Sequence, residues 1–419
     1  MHPAPLLDAC SEALSLVLCF DYPADSVLSR FFKENRNLGQ KDRKTISDTI
    51  YTILRKKPFF EALAKTGSSN KERNLVMLAF TGPRDLLREA ISESEWRWLC
   101  ECKQATPQLK PTENHNLPTW LSERLLQQFG EDEFNELSRS LLWQNDMDLR
   151  VNTFKAKLED VQKSLLEDQI DSKPTPHSPD GLRLKGRQNI SRCESFLAGS
   201  FEVQSEGSQL LALLVGAKRG EMVADFCAGA GGKTLALGAM MRSTGCLYAF
   251  DVSHKRLDGL KPRLARSGLS NVRPVVISNE RDDRIKRLRG KMDRVLVDAP
   301  CSGTGTLRGN PDLKWRLSEK DLTDLVQKQA SILEAAQGLV KLGGRLIYAT
   351  CSLLQEENEK IVEQFSLDHP EFQPVACSEI LLKSKIEEIE KITSDDGLYL
   401  KILPHKSNTD GFFAAAWKC

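Results

Sequence analysis

The amino-acid sequence predicts an α/β fold: a doubly wound, mostly parallel sheet in the second half of the chain, preceded by an all-α domain and a small α/β subdomain. Three observations carry this prediction. Short apolar runs bounded by Gly or Pro recur between residues 222 and 350, the pattern of parallel strands buried on both faces. The first, Met222-Val-Ala-Asp225, runs straight into a glycine-rich turn and then a helix-forming stretch, residues 235–241. The first third of the chain shows instead apolar residues at the 3.6-residue period of packed helices. The expected boundaries are a helical domain over residues 1–143, a linker subdomain over 144–200 and the sheet domain over 201–419.

In the helical domain, residues 6–19 are amphipathic. The run Asp42-Arg-Lys-Thr-Ile46-Ser-Asp-Thr-Ile50-Tyr-Thr-Ile53-Leu54-Arg places apolar side chains at i, i+4, i+7 and i+8. Further helical patterns near 71–80, 84–100 and 118–143 are separated by Pro, Gly or Asn. In the subdomain, Leu149-Arg-Val-Asn152 and Gly181-Leu-Arg-Leu184 read as strands around a helix at 155–168, with the Pro-rich turn Lys173-Pro-Thr-Pro-His-Ser-Pro179 before the second.

The turn after Asp225, Phe-Cys227-Ala228-Gly229-Ala230-Gly231-Gly232-Lys233-Thr234, admits three nucleotide-binding readings. A phosphate loop requires Gly-x-x-x-x-Gly-Lys-Ser/Thr, and Cys227 occupies its first glycine position. A dinucleotide loop requires Gly-x-Gly-x-x-Gly, and Thr234 stands at its last. An S-adenosylmethionine site requires the glycine turn and an acid ending the next strand, which accepts from the ribose hydroxyls. Cys246-Leu-Tyr-Ala-Phe250-Asp251 supplies that acid about twenty residues on, so the third reading is preferred. Farther along, Arg294-Val-Leu-Val-Asp298-Ala-Pro300-Cys301 and Arg345-Leu-Ile-Tyr-Ala-Thr350-Cys351 each carry a cysteine just past a strand. Ligands bind beyond the carboxyl ends of strands in open α/β sheets, so both thiols fall where chemistry is done. Closing strands are expected at 398–402 and 412–417, after a charged segment, 380–396, expected to be mobile.

These motifs occur together with Phe201-Glu-Val-Gln204-Ser-Glu206-Gly-Ser208-Gln209, Asn310-Pro-Asp312-Leu-Lys314-Trp315 and Asp410-Gly-Phe-Phe-Ala. In order and spacing the set resembles the Sun family of RNA 5-methylcytosine methyltransferases, and within it the bacterial small-subunit ribosomal RNA methyltransferase B type. The resemblance covers residues 200–419. It implies a class I, Rossmann-like, S-adenosylmethionine-dependent methyltransferase domain and, more loosely, a NusB-like RNA- and protein-binding domain ahead of it. The implied reaction is methyl transfer from S-adenosylmethionine to carbon 5 of a cytidine in RNA, with 16S ribosomal RNA the expected substrate.

The family's roles carry over residue by residue. Cys351 is the implied nucleophile at carbon 6, Cys301 assists proton removal and release, and Asp298 holds cytosine N3 and the exocyclic amine close to the cofactor. A covalent route fits the chemistry, because carbon 5 is a poor nucleophile until a thiolate at carbon 6 breaks the ring's conjugation. The cofactor is expected to rest on Cys227, Ala228, Gly229, Ala230, Gly231, Gly232, Lys233, Asp251 and Asp298. Asn279, in Ile277-Ser-Asn279-Glu280-Arg281, stands where the family carries an aspartate facing the adenine amine. Its carbonyl can accept that bond, without charge assistance. Two rival readings are a P-loop-type ATPase, argued by Gly232-Lys233-Thr234, and a non-catalytic RNA-binding assembly factor, against which the two cysteines argue.

Composition narrows the partners. With 59 Lys and Arg against 58 Asp and Glu, the net charge of +1 gives no whole-chain argument for nucleic acid. Locally, nine Lys or Arg face three acids between residues 30 and 57, and Arg284-Ile-Lys-Arg-Leu-Arg-Gly-Lys-Met-Asp-Arg294 is a second basic stretch. Such patches attract phosphate backbones. Eleven cysteines and no evident leader point to a reducing cytoplasm. No Cys-x-x-Cys occurs and the six histidines are scattered, so no metal site is expected. No apolar run reaches the ~18 residues of a membrane span, and a monomer is expected.

Overall fold

The computed structural model describes residues 3–105, 114–186, 188–384 and 386–419. The chain forms two compact units, Met1–Trp143 with Leu307–Glu319, and Gln144–Thr306 with Lys320–Cys419.

The first unit is helical, with helices Pro3–Leu18, Ala24–Glu34, Gln40–Arg55, Lys57–Ala64, Lys71–Ala79, Arg84–Ala90, Glu93–Gln104 and Thr119–Ser140. The apolar stripes meet in one core: Leu7, Cys10 and Leu14 against Ile46, Ile50 and Ile53, with Leu75 and Val76. Two stretches expected to be continuous helices are interrupted. Residues 84–100 divide at Ser92, whose hydroxyl accepts from the Glu95 N–H while the Glu95 carboxylate accepts from the Ser92 N–H, a capping box that starts a new helix. Residues 118–143 kink at Gly130, where φ is +74°, a conformation glycine adopts at little cost.

The segment Leu307–Glu319, expected in the sheet domain, packs instead in the helical unit. The helix Gln40–Arg55 leaves its last carbonyls without intrahelical donors, and the segment supplies them. Trp315 Nε1 donates to the Leu54 carbonyl at 2.7 Å and Lys314 Nζ to the Arg55 carbonyl at 3.0 Å. In return Arg55 Nη2 donates to the Arg308 carbonyl at 2.7 Å, and the Ala24 N–H to Asp312 Oδ2 at 3.1 Å.

The second unit holds two sheets. Strands β1 (Met147–Val151), β2 (Ser172–Pro174), β3 (Gly181–Leu184) and β4 (Phe201–Val203) pair antiparallel in the order β2-β3-β1-β4. Helix Leu158–Glu167 covers them through Val161 and Leu165. Phe201 pairs with Val151 and is buried in this smaller core, so the expected boundary at residue 200 falls just ahead of a strand bonded to the linker.

The larger sheet contains β5 (Met222–Asp225), β6 (Cys246–Asp251), β7 (Val272–Val276), β8 (Met292–Asp298), β9 (Val340–Thr350), β10 (Gln373–Val375), β11 (Leu400–Ile402) and β12 (Phe412–Lys418). Its order is β10-β12-β9-β8-β5-β6-β7, with β11 on β12. Strands β5 to β9 are parallel, and β12 runs antiparallel to its neighbours. Successive side chains point to opposite faces of a strand, and both faces here are apolar. Leu296, Ile347 and Ala349 join one core with helices Glu206–Val215, Gly232–Met240 and His254–Ser267. Val295, Val297, Leu346 and Tyr348 join the other, with helices Glu319–Gln337 and Glu359–Asp368. The segment 380–396, expected to be mobile, is anchored: Ile386, Ile389 and Ile392 are buried in the first of these cores. Lys385 lies outside the described residues.

Candidate active site

The glycine turn after β5 is shaped by its neighbours. The Ala228 N–H donates to the Phe250 carbonyl at 2.8 Å, and the Gly229 N–H to Asp251 Oδ2 at 2.9 Å. The other Asp251 oxygen accepts from the Ser253 N–H at 2.7 Å. Gly231 has φ +82°, and a Cβ there would lie 2.2 Å from Leu260 Cδ1, so only glycine fits. Ala230 gives its carbonyl to Arg263 Nη1 at 2.6 Å, and Gly232 opens the helix Gly232–Met240. Thr234 Oγ1 donates to Asp225 Oδ2 at 2.7 Å, while Asp225 Oδ1 is buried without a partner. Burial, above all, pushes the Asp225 carboxyl up to about 7.

This turn fits S-adenosylmethionine. The space where a Cβ of Gly229 would sit is open to at least 4 Å, leaving room for a ligand against the backbone. The helix start behind it offers N–H groups to a carboxylate. Each Asp251 oxygen takes one backbone donor and keeps a lone pair for a ribose hydroxyl.

Asp298 ends β8 and lies in register with Ala349 of β9, so the chain leaves the two strand tips side by side. There the Cys301 and Cys351 sulfurs lie 3.4 Å apart. Lys233 Nζ stands 2.7 Å from Asp298 Oδ2. Burial works against the Lys233 ammonium, but Asp298 outweighs it and holds the pKa above the ordinary value. The hydrogen bond to the Cys351 sulfur, with burial second, pushes the Cys301 thiol well above 9, so Cys301 keeps its proton. Burial, reinforced by Asp298, Asp225 and Asp251, likewise keeps Cys227 a neutral packing thiol. The closing Asp410-Gly motif has a steric role: a Cβ on Gly305 would lie 2.2 Å from the Gly411 carbonyl oxygen, and the Gly411 N–H donates to the Gly305 carbonyl at 2.8 Å.

Asn279 is not drawn to the cysteines. Its Oδ1 accepts from the Arg281 N–H at 2.8 Å and so holds its own loop. That loop follows Ile277, whose N–H donates to the Asp251 carbonyl at 3.0 Å. Partial burial opposes ionisation of Glu280, yet Lys328 and Ser331 hold it at about 2. Both basic stretches are thinner than the sequence suggests. Arg55 is buried, Lys57 pairs with Glu61, and Arg294 turns inward to Glu221 and the Val215 carbonyl. Lys33, Arg36, Lys41, Lys44 and Lys56 remain exposed.

A buried polar cluster beneath the thiols escaped the sequence reading: Ser302, Thr304, Ser352, Gln329 and Glu357. Its one visible signal is the serine that follows each cysteine. Among the described residues, no group of three or more His, Cys, Asp or Glu is placed to hold a metal ion, and no helix is long and apolar enough to cross a membrane.

A parallel sheet in this order, with a glycine turn after its central strand and an acid at the tip of the next, defines a class I methyltransferase whose cofactor is S-adenosylmethionine. Residues 212–418 match the family model for the 16S rRNA methyltransferase RsmB/F, and residues 117–191 match the RsmF/B-like ferredoxin-like domain. The chain is 34% identical to the probable ribosomal RNA small subunit methyltransferase B of Synechocystis, over 73% of this chain and 67% of the relative. It is 31% identical to ribosomal RNA small subunit methyltransferase B of Yersinia pseudotuberculosis, over 98% and 97%. Among solved structures, that of PH0851 superposes with a TM-score of 0.82 at 29% identity, covering 100% of this chain and 99% of that one. A methyltransferase homolog from Pyrococcus horikoshii gives 0.62 at 28%, over 74% and 99%. The chain belongs to the RsmB/F methyltransferase family. The family match does not favour the ATPase reading.

Proposed function

We propose that the protein methylates carbon 5 of a cytidine in small-subunit ribosomal RNA through a covalent bond from Cys351 to carbon 6. The observation that carries this reading is the 3.4 Å sulfur contact at adjacent strand tips, beside the Lys233–Asp298 pair. The names of the relatives support the substrate class. S-adenosylmethionine, bound by residues 227–233, Asp251 and Asp298, supplies an electrophilic methyl group. Cys351 adds to carbon 6 as the thiolate, and the ring electrons move to carbon 5, which takes the methyl. Carbon 5 then gives its proton to a base, the double bond re-forms and Cys351 departs. Cys301 assists this release, because it keeps its proton and its sulfur lies 3.4 Å from the departing Cys351 sulfur. Asp298, oriented by Lys233, holds the cytosine edge. Bisulfite sequencing of ribosomal RNA from cells with and without the gene tests the reading. A site methylated only when the gene is present supports it, and identical maps refute it.

Two further outcomes are expected. Asp251→Ala removes the ribose acceptor and the partner of two backbone N–H groups. The S-adenosylmethionine Kd should then rise by about ten- to a hundredfold in calorimetry, the effect of a hydrogen bond to a charged group. ATP binding in place of S-adenosylmethionine would sink the cofactor assignment. The target base must be unstacked, so a loop or single strand is expected. Neutralising the exposed Lys33, Arg36 and Lys44 should reduce the salt slope of RNA binding by about 2, at ~0.7 per single-strand phosphate contact. An unchanged slope would assign those side chains to plain solvated surface.

A further inference from the structure

Glu357 lies six residues past Cys351 and is fully buried, at 0% exposure. A buried carboxyl group is costly unless donors surround it, and four converge here. The Ser302 N–H at 2.8 Å and Gln329 Nε2 at 2.9 Å reach Oε1, while the Ser302 and Ser352 hydroxyls both reach Oε2. The two serine oxygens are themselves 3.1 Å apart, and the Thr304 hydroxyl lies 3.3 Å from one and 3.2 Å from the other. Tyr348 donates its hydroxyl to the Glu357 carbonyl at 2.6 Å, and Asn358 Nδ2 donates to the Ser352 carbonyl at 2.9 Å, holding the turn from its other side.

Ser302 follows Cys301, and Ser352 follows Cys351. One carboxyl group therefore grips the residue beside each thiol, on loops that leave two different strands. Separating the loops would strip Glu357 of donors from one or the other, which a buried group tolerates poorly. We infer that Glu357 is a positioning residue that ties the Cys301 and Cys351 loops together and so fixes the 3.4 Å sulfur contact. Its catalytic consequence rests on the two-thiol mechanism proposed above; its structural consequence does not.

The test uses the full-length protein and two readouts: the pH profile of iodoacetamide alkylation at Cys301, followed by peptide mass spectrometry, and steady-state methylation. Wild-type Cys301 should alkylate only well above pH 9, because its contact with Cys351 is the first cause of its raised pKa and the Glu357 charge a lesser one. Glu357→Ala should move that profile down toward the profile of Cys351→Ala, in which the partner sulfur is gone. The same variant should lower kcat by about 10²-fold, the scale expected for a misplacement of about 1 Å, with the RNA KM little changed. Glu357→Gln removes the charge but can rebuild the links, since serine hydroxyls both donate and accept. It should keep turnover near wild type and lower the Cys301 profile only by the lesser share due to the lost charge, well short of Glu357→Ala. If Ala and Gln behave alike, or if Ala changes neither readout, the positioning role is overturned. If Glu357→Ala does not fold, Ser352→Ala is read instead: a smaller shift in the same direction supports the role, and no shift overturns it. A shifted alkylation profile with unchanged turnover would keep the tie between the loops and refute the two-thiol mechanism.

Discussion

Alanine at Cys301 should turn the enzyme into a protein that methylates its RNA once and stays attached to it. The two sulfurs lie 3.4 Å apart, but the proposed mechanism gives them separate steps. Cys351 forms the bond to carbon 6, and Cys301 serves only its release. With Cys301→Ala, attack and methyl transfer proceed and elimination stalls, so a denaturant-resistant protein–RNA band should accumulate to near stoichiometry. Turnover should fall by about 10³-fold or more, as when one member of a catalytic set that acts as a unit is removed. Cys351→Ala should lose turnover equally and show no band, and the double variant should match it. If Cys351→Ala traps RNA and Cys301→Ala does not, the roles are exchanged. If neither traps RNA nor loses activity, no covalent step exists in this chain.

The parts of this site legible in the sequence were those fixed by local chemistry. Asp298 and Thr350 end apolar runs, so the positions of Cys301 and Cys351 at strand tips followed from period and punctuation. The turn at Gly229 and Gly231 was legible because both backbones take a positive φ that glycine adopts at little cost, and Gly231 also lies against Leu260. What escaped depends on partners far along the chain. Glu357 sits in Gln355-Glu-Glu357-Asn and reads as one of two solvated acids, yet its donors come from Ser302 and Gln329. Arg294 closes a basic run in sequence, but Glu221 draws it inward. The Asn310-to-Trp315 motif was visible as a motif, but its destination was not, because the carbonyls it serves belong to Leu54 and Arg55. In 380–396 the charges masked three isoleucines spaced three apart, at 386, 389 and 392, which anchor the segment.

The helical unit should gain stability as pH rises from about 7 toward 10.5, through Lys314. This side chain is 2% exposed, donates to the Arg55 carbonyl at 3.0 Å and lies 5.0 Å from the centre of the Trp315 ring. Burial first, and then the Arg55 charge, lower its pKa from 10.5 to about 7. Between those values the unfolded chain holds the proton that the folded one has released, so stability climbs with pH across that window. Below about 7 both states are protonated, and the penalty for the buried charge is complete and constant. Its size is on the order of a few kcal/mol, a shift of several pKa units at about 1.4 kcal/mol each. Lys314→Met removes the titration but also a donor to the Arg55 carbonyl, a loss of about 1–3 kcal/mol. The two stability curves should therefore cross: the variant at least as stable as wild type near pH 6, and less stable near pH 10. Five of the six tryptophans, at 96, 98, 120, 143 and 315, lie in this unit, so thermal unfolding followed by tryptophan fluorescence reads it. Parallel curves for wild type and variant would mean that Lys314 keeps its charge, and that the carbonyls at the end of Gln40–Arg55 are met by an ammonium after all.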